Sequence, residues 1–276
     1  MEQILKTMLE NVRAKTPLVH NITNYVTVND VANVLLAAGG SPIMSDDVDD
    51  VEDITSICGG LNINIGTLNK NTIPSMFLAG KKANELGHIV LLDPVGAGAS
   101  RLRTDTANRL MQEVRFDAVR GNISEIKTLC TGSGSTKGVD ADAVDAVTEA
   151  NLDDGVQLVK TFAQRAGCIV AVTGAIDLVS DGERCWCIRN GRAEMSRITG
   201  TGCQLSALTT AFLVANPEHK LEAAAAAVCM MGLAGEIGWA NMQPGDGNST
   251  YRSRIIDAIC NMTGDALEKG AKYELR

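Results

Sequence analysis

His88-Ile89-Val90-Leu91-Leu92-Asp93-Pro94-Val95-Gly96-Ala97-Gly98 is the stretch from which the architecture follows. Ile89 to Leu92 are large aliphatics with no polar residue between them. A strand with one wet face alternates apolar and polar; a strand buried on both faces does not, and that is the habit of parallel strands between two layers of helices. The run then meets an acid and a glycine-rich turn. The carboxyl end of a buried strand is where open α/β sheets bind ligands. Asp93 either caps the next turn or serves a ligand, and its placement favours the second.

Working outward, Ser41 to Met44, Leu61 to Gly66, Phe116 to Val119 and Cys168 to Gly174 read as further short strands. The stretch 61–66 has period two. Ile176 to Ser180 and Arg184 to Arg189 alternate like a hairpin around Asp181-Gly182. Helical patterns cover 2–14, 28–38, 70–86, 103–113 and 152–166, then near 203–215, 220–241 and 248–268. Residues 17–27, dense in hydrogen-bonding side chains, read as a loop between two helices. Helices alternating with apolar strands predict an α/β layered fold with a mainly parallel sheet. With no repeat or linker, residues 1–276 read as one domain.

Composition sets further bounds. The 276 residues carry a net charge of −8 and few aromatics, so the core must be aliphatic and no basic surface for nucleic acid is expected. No apolar run reaches the roughly 18–20 residues that span a bilayer, and Leu221 to Gly235 reads as a buried helix. Without a signal-like start, the chain is expected in the cytoplasm. Eight cysteines lack CxxC or zinc spacing, so they read as small core residues in a reducing compartment. Cys185 and Cys187 alternate on one side of a strand. The acids between Asp46 and Asp53 read as a solvated first helical turn.

Polar chemistry gathers in four places. Gly200-Thr201-Gly202-Cys203 opens a helix. Its two glycines let a ligand approach the backbone, and its first N–H groups lack intrahelical acceptors, so it is built for an anion. Cys203 in the first turn is expected to have its thiol pKa lowered toward neutrality. The alternative is a tight loop with an inert cysteine. Asn122 and Glu125 stand three apart at a helix start and suit a hydrated Mg²⁺, or else form a variant capping box. Arg120 offers a forked donor for phosphate. Asp93 joins Asn122 and Glu125 as a candidate metal residue. Thr173-Gly174 closes another buried strand. Residues 20–27 suit either helix capping or ligand contact. Thr131-Gly132-Ser133-Gly134-Ser135 reads as a polar loop, without the features of a Walker loop.

Pro17-Leu18-Val19-His20-Asn21-Ile22-Thr23-Asn24-Tyr25-Val26, Ser41-Pro42-Ile43-Met44, Leu92-Asp93-Pro94-Val95-Gly96, Arg120-Gly121-Asn122-Ile123-Ser124-Glu125, Val172-Thr173-Gly174 and Gly200-Thr201-Gly202-Cys203 stand in an order that resembles the hydroxyethylthiazole kinases of the ribokinase-like superfamily. The resemblance spans nearly the whole chain; each motif is weak alone, and the ordered set is specific. It implies ATP-dependent phosphorylation of 4-methyl-5-(2-hydroxyethyl)thiazole in thiamine salvage, with Mg²⁺, in a homotrimer whose active sites lie between subunits. By the same resemblance, Met44 and Gly200 match substrate contacts, and Arg120 and Thr173 match ATP contacts. Asn122 and Glu125 match a metal motif, and Cys203 stands where most of the superfamily carries a catalytic Asp. Rival readings are a kinase of the same fold acting on a hydroxymethylpyrimidine, a nucleotide sensor without turnover, and a redox protein using Cys185 and Cys187.

Overall fold

A computed structural model describes residues 3–131 and 146–276, so the Gly132 to Ser135 part of the polar loop lies outside the described residues. The helices are α1 (Ile4–Lys15), α2 (Val28–Ala38), α3 (Val51–Ile57), α4 (Thr72–Leu86), α5 (Arg101–Glu113), α6 (Ile123–Thr131), α7 (Leu152–Ala166), α8 (Thr201–Ala215), α9 (Lys220–Ala240), α10 (Asn248–Asn261) and α11 (Gly264–Gly270). The strands are β1 (Leu18–Ile22), β2 (Ser41–Met44), β3 (Gly60–Asn64), β4 (Ile89–Asp93), β5 (Ala118–Asn122), β6 (Ile169–Thr173), β7 (Asp177–Ser180), β8 (Cys185–Ile188) and β9 (Tyr273–Leu275).

The strands form one sheet in the order β2-β1-β3-β4-β5-β6-β7-β8-β9. From β2 to β6 all neighbours are parallel, and β7, β8 and β9 add on antiparallel. The apolar run of β4 is divided between two layers. Ile89 and Leu91 face a core shared with α1, α8, α9 and α10, while Val90 and Leu92 face a core shared with α4, α5, α6 and α7. That division is the physical reason for the missing alternation. The α9 helix, long and apolar enough to cross a bilayer, is instead packed inside this core, with Ala223 to Ala227 fully buried. Trp186 of β8 sits in the α9 layer, while Cys185 and Cys187 point into the other.

Three expectations are corrected. Residues 18–22 are not loop but β1, an inner strand between β2 and β3. Its polar residues hid it, and the structure accommodates them. The buried His20 ring bonds Thr55 Oγ1 at 2.9 Å and the Ser45 carbonyl at 2.8 Å, and Asn62 donates to Asn21 across the ladder at 3.1 Å. Stretch 61–66 is a strand as expected, but its bounds shift: β3 runs from Gly60 to Asn64, and all five of its residues are buried. The single helix expected over 248–268 is two, α10 and α11, because Met262 and Thr263 are extended and Thr263 caps α11 through the Ala266 N–H.

Candidate active site

Five of the parallel strands bring candidate site residues to one edge. Met44, Asn64, Asp93, Asn122 and Thr173 are the last residues of β2, β3, β4, β5 and β6. Asn64 lies opposite Asp93 in register, and Asn122 opposite Thr173. The ladder therefore fixes their spacing before any side chain is chosen.

Helix α8 starts at the same edge and packs on β1, β3 and β4. Gly200 takes φ of 87°, a left-handed conformation open to glycine, and an added Cβ would lie 2.1 Å from Thr27 Cγ2. Gly202 permits a second close approach: a Cβ there would stand 2.5 Å from Arg120 Nη1. The first α8 N–H groups and the Arg120 guanidinium thus converge on one spot, an arrangement suited to a phosphate. Arg120 is largely buried, its Nη2 donates to Thr173 Oγ1, and its Nη1 stands 3.8 Å from Asp93 Oδ1.

Asp93 is fully buried. Its Oδ2 accepts from Asn64 Nδ2 at 2.7 Å and Ser206 Oγ at 2.8 Å, while its Oδ1 has no hydrogen-bond partner. Burial raises its pKa, against the pull of Arg120. Glu125 and Asn122 form a reciprocal capping pair: Asn122 N–H donates to Glu125 Oε2 at 2.8 Å and Glu125 N–H to Asn122 Oδ1 at 2.9 Å. Glu125 Oε1 accepts the Gly96 N–H at 2.8 Å. Burial, helped by the charge of Asp93, pushes its pKa up to about 7. The helix cap thus falls on the two residues expected to match a metal motif. Among the described residues, no three His, Cys, Asp or Glu side chains converge as a ready cage. Mg²⁺ does not require one, since it keeps several waters and takes one or two carboxylates with phosphate oxygens. The orphaned, buried Asp93 Oδ1 fits that demand.

Cys203 is where the α8 reading placed it, but its thiol is not activated as expected. Burial, and then the charge of Asp93, push its pKa up, outweighing its place in the first helical turn. It packs in a small apolar cluster with Val19, Val31, Leu35, Ala207 and Ala211, against which half-buried Met44 and Val95 rest. Sequence reading did not single out Asn64, Ser206 or Val95. For Asn64 a signal existed: amides at period two in a strand with buried neighbours on both sides cannot be facing water.

A family model, the Hydroxyethylthiazole kinase family, matches residues 9–265. The chain is 56% identical to a hydroxyethylthiazole kinase of Clostridium acetobutylicum over 98% of this chain and 99% of the relative. It is 49% identical to that of Clostridium beijerinckii over 97% and 96%. The solved hydroxyethylthiazole kinase of Pyrococcus horikoshii superposes with a TM-score of 0.88 at 33% identity, covering both chains fully. A pyridoxal kinase of Staphylococcus aureus solved with ADP shares the fold at a TM-score of 0.57 and 15% identity, over 77% of this chain and 85% of that one. Strand tips, the α8 start and these likenesses agree: the chain belongs to the hydroxyethylthiazole kinase family.

Proposed function

We propose that this chain transfers the γ-phosphoryl group of ATP to the hydroxyl of 4-methyl-5-(2-hydroxyethyl)thiazole, a step of thiamine salvage in the cytoplasm. The observation that carries the reading is the position of Cys203, between an apolar patch and a phosphate-suited edge. Met44 and Val95 supply apolar walls for a flat ring, and Gly200 lets the ring approach the backbone. Arg120 and Thr173 bind the ATP phosphates. The N–H groups of Thr201, Gly202 and Cys203 meet the charge on the group in flight, the main demand of phosphoryl transfer. Asp93, with Glu125 and Asn122 behind it, would hold Mg²⁺, which when bound neutralises charge on the phosphate oxygens. All eight cysteines are unpaired, in keeping with a reducing compartment.

In the transfer the substrate O–H bond breaks and its proton passes to the sulfur of Cys203 in its thiolate form, which becomes the thiol. The freed oxygen bonds to phosphorus, and the bond from that phosphorus to the ADP oxygen opens. The test is ADP release from a panel of thiazole, pyrimidine and sugar alcohols, with the products weighed by mass spectrometry. Phosphorylated hydroxyethylthiazole is expected as the main product. Preferred turnover of hydroxymethylpyrimidine, or ATP binding with no turnover, overturns the assignment.

A further inference from the structure

Cys203 does not stand alone. Asn24, in the turn after β1, donates from Nδ2 to Cys203 Sγ at 3.0 Å. The orientation of that amide is fixed from both ends. Its Oδ1 accepts the Thr27 hydroxyl at 3.0 Å, and its Nδ2 also meets Asn64 Oδ1 at 3.2 Å. Asn64 is fixed in turn, because its Oδ1 takes the Gly66 N–H at 2.9 Å and its Nδ2 donates to Asp93. A flip of either amide would set donor against donor or oxygen against oxygen inside a buried network, so the NH₂ of Asn24 must face the sulfur. Thr27, the outer anchor, packs on Gly200 at the substrate side.

We propose that Asn24 is a positioning residue for the transfer, holding the Cys203 sulfur as a hydrogen-bond acceptor aimed at the substrate hydroxyl. The inference rests on the kinase reading above. A thiolate that already accepts from an amide keeps its remaining lone pairs for the incoming proton. Without that partner the sulfur has no polar group fixing its rotamer and is presented to the hydroxyl only part of the time. Asn64 and Thr27 act one step further out, by keeping the amide the right way round.

The test is a double-mutant cycle on kcat, with KM for ATP as the check that the fold survives. Asn24→Ala is expected to lower kcat by about 30-fold or more in the otherwise unchanged protein, and by less than about 3-fold in a Cys203→Ala background. Thr27→Val, which leaves the amide in place but removes its anchor, is expected to show a smaller loss with the same dependence on Cys203. KM for ATP should stay within about twofold throughout. Equal losses in both backgrounds would mean that Asn24 acts on the substrate or the fold directly, and would overturn the proposal. So would an Asn24→Ala protein with unchanged kcat. Should Asn24→Ala fail to fold, Thr27→Val decides alone, by the same comparison. Failure of the kinase reading looks different: the unmodified protein would not phosphorylate the thiazole alcohol.

Discussion

At Cys203 the electrostatics fix the sign of a pH effect. Its thiol is held above the ordinary value by burial and by Asp93, so the sulfur loses its proton only at higher pH. A rate that needs the unprotonated sulfur should therefore fall as pH drops, and should still be climbing past about pH 8.5. Cys203→Ala and Cys203→Ser should each cost roughly 10²-fold or more in kcat. Cys203→Asp should keep activity and move the acidic limb to lower pH, because a carboxylate ionises well below a thiol in the same surroundings and can accept the Asn24 amide. Near-normal kcat in Cys203→Ala with the same pH profile would leave the backbone donors of α8 as the chief contribution. Glu125 makes a second prediction. Each of its oxygens accepts a backbone N–H, and Glu125→Gln turns one acceptor into a donor facing a donor. We expect a loss of about 1–3 kcal/mol in stability. A fall of roughly 10²-fold in kcat should accompany it. A lowered Tm with unchanged kcat at saturating Mg²⁺ would make Glu125 a helix cap alone.

Among the elements, α8 and the turn before it depend on Gly200. Gly200→Ala forces an L side chain into a left-handed conformation and against Thr27. It should cost about 1–3 kcal/mol in stability. It should also raise KM for the thiazole alcohol, by pushing the 24–27 turn off Cys203. Thermal unfolding and steady-state kinetics measure the two effects separately, and KM held constant would show that Thr27 yields without disturbing the site. This turn also shows what the sequence made visible. A pair of glycines before an apolar helix has few other uses, and an aliphatic run that stops at Asp93 or Thr173 announces a strand tip. Those signals are local. The role of Asn64 depends on which strands flank β3, and the state of the Cys203 thiol on how deeply the surrounding elements bury it. Neither is written in the neighbouring residues. Strand β1 was hidden for the same reason: His20 and Asn21 look like loop until Thr55, Ser45 and Asn62 are seen to satisfy them.

For the molecule as a whole, large apolar side chains stand out in solvent in the β1–α2 and β2–α3 connections. Tyr25 and Val26 of the first are 60% and 66% exposed, and Val48 of the second is 44% exposed. Grouped exposed apolar residues mark contact surfaces, and we propose that they are covered in a homotrimer whose active sites lie between subunits. Light scattering should give three times the 29.1 kDa of the chain. A fully active 29.1 kDa particle at micromolar concentration would sink both the trimer and the shared site. The placement of α8 also bears on how the protein is made. The helix covers β1, β3 and β4, yet it is encoded some 140 residues after β3 begins, from Gly60 to Thr201. At roughly 5–20 residues per second, the ribosome delivers that cover about 7–30 seconds after the strands it must shield. Throughout that interval the nascent sheet lacks its α8 layer on one side, and the half-made chain is a natural client for a chaperone at the exit tunnel.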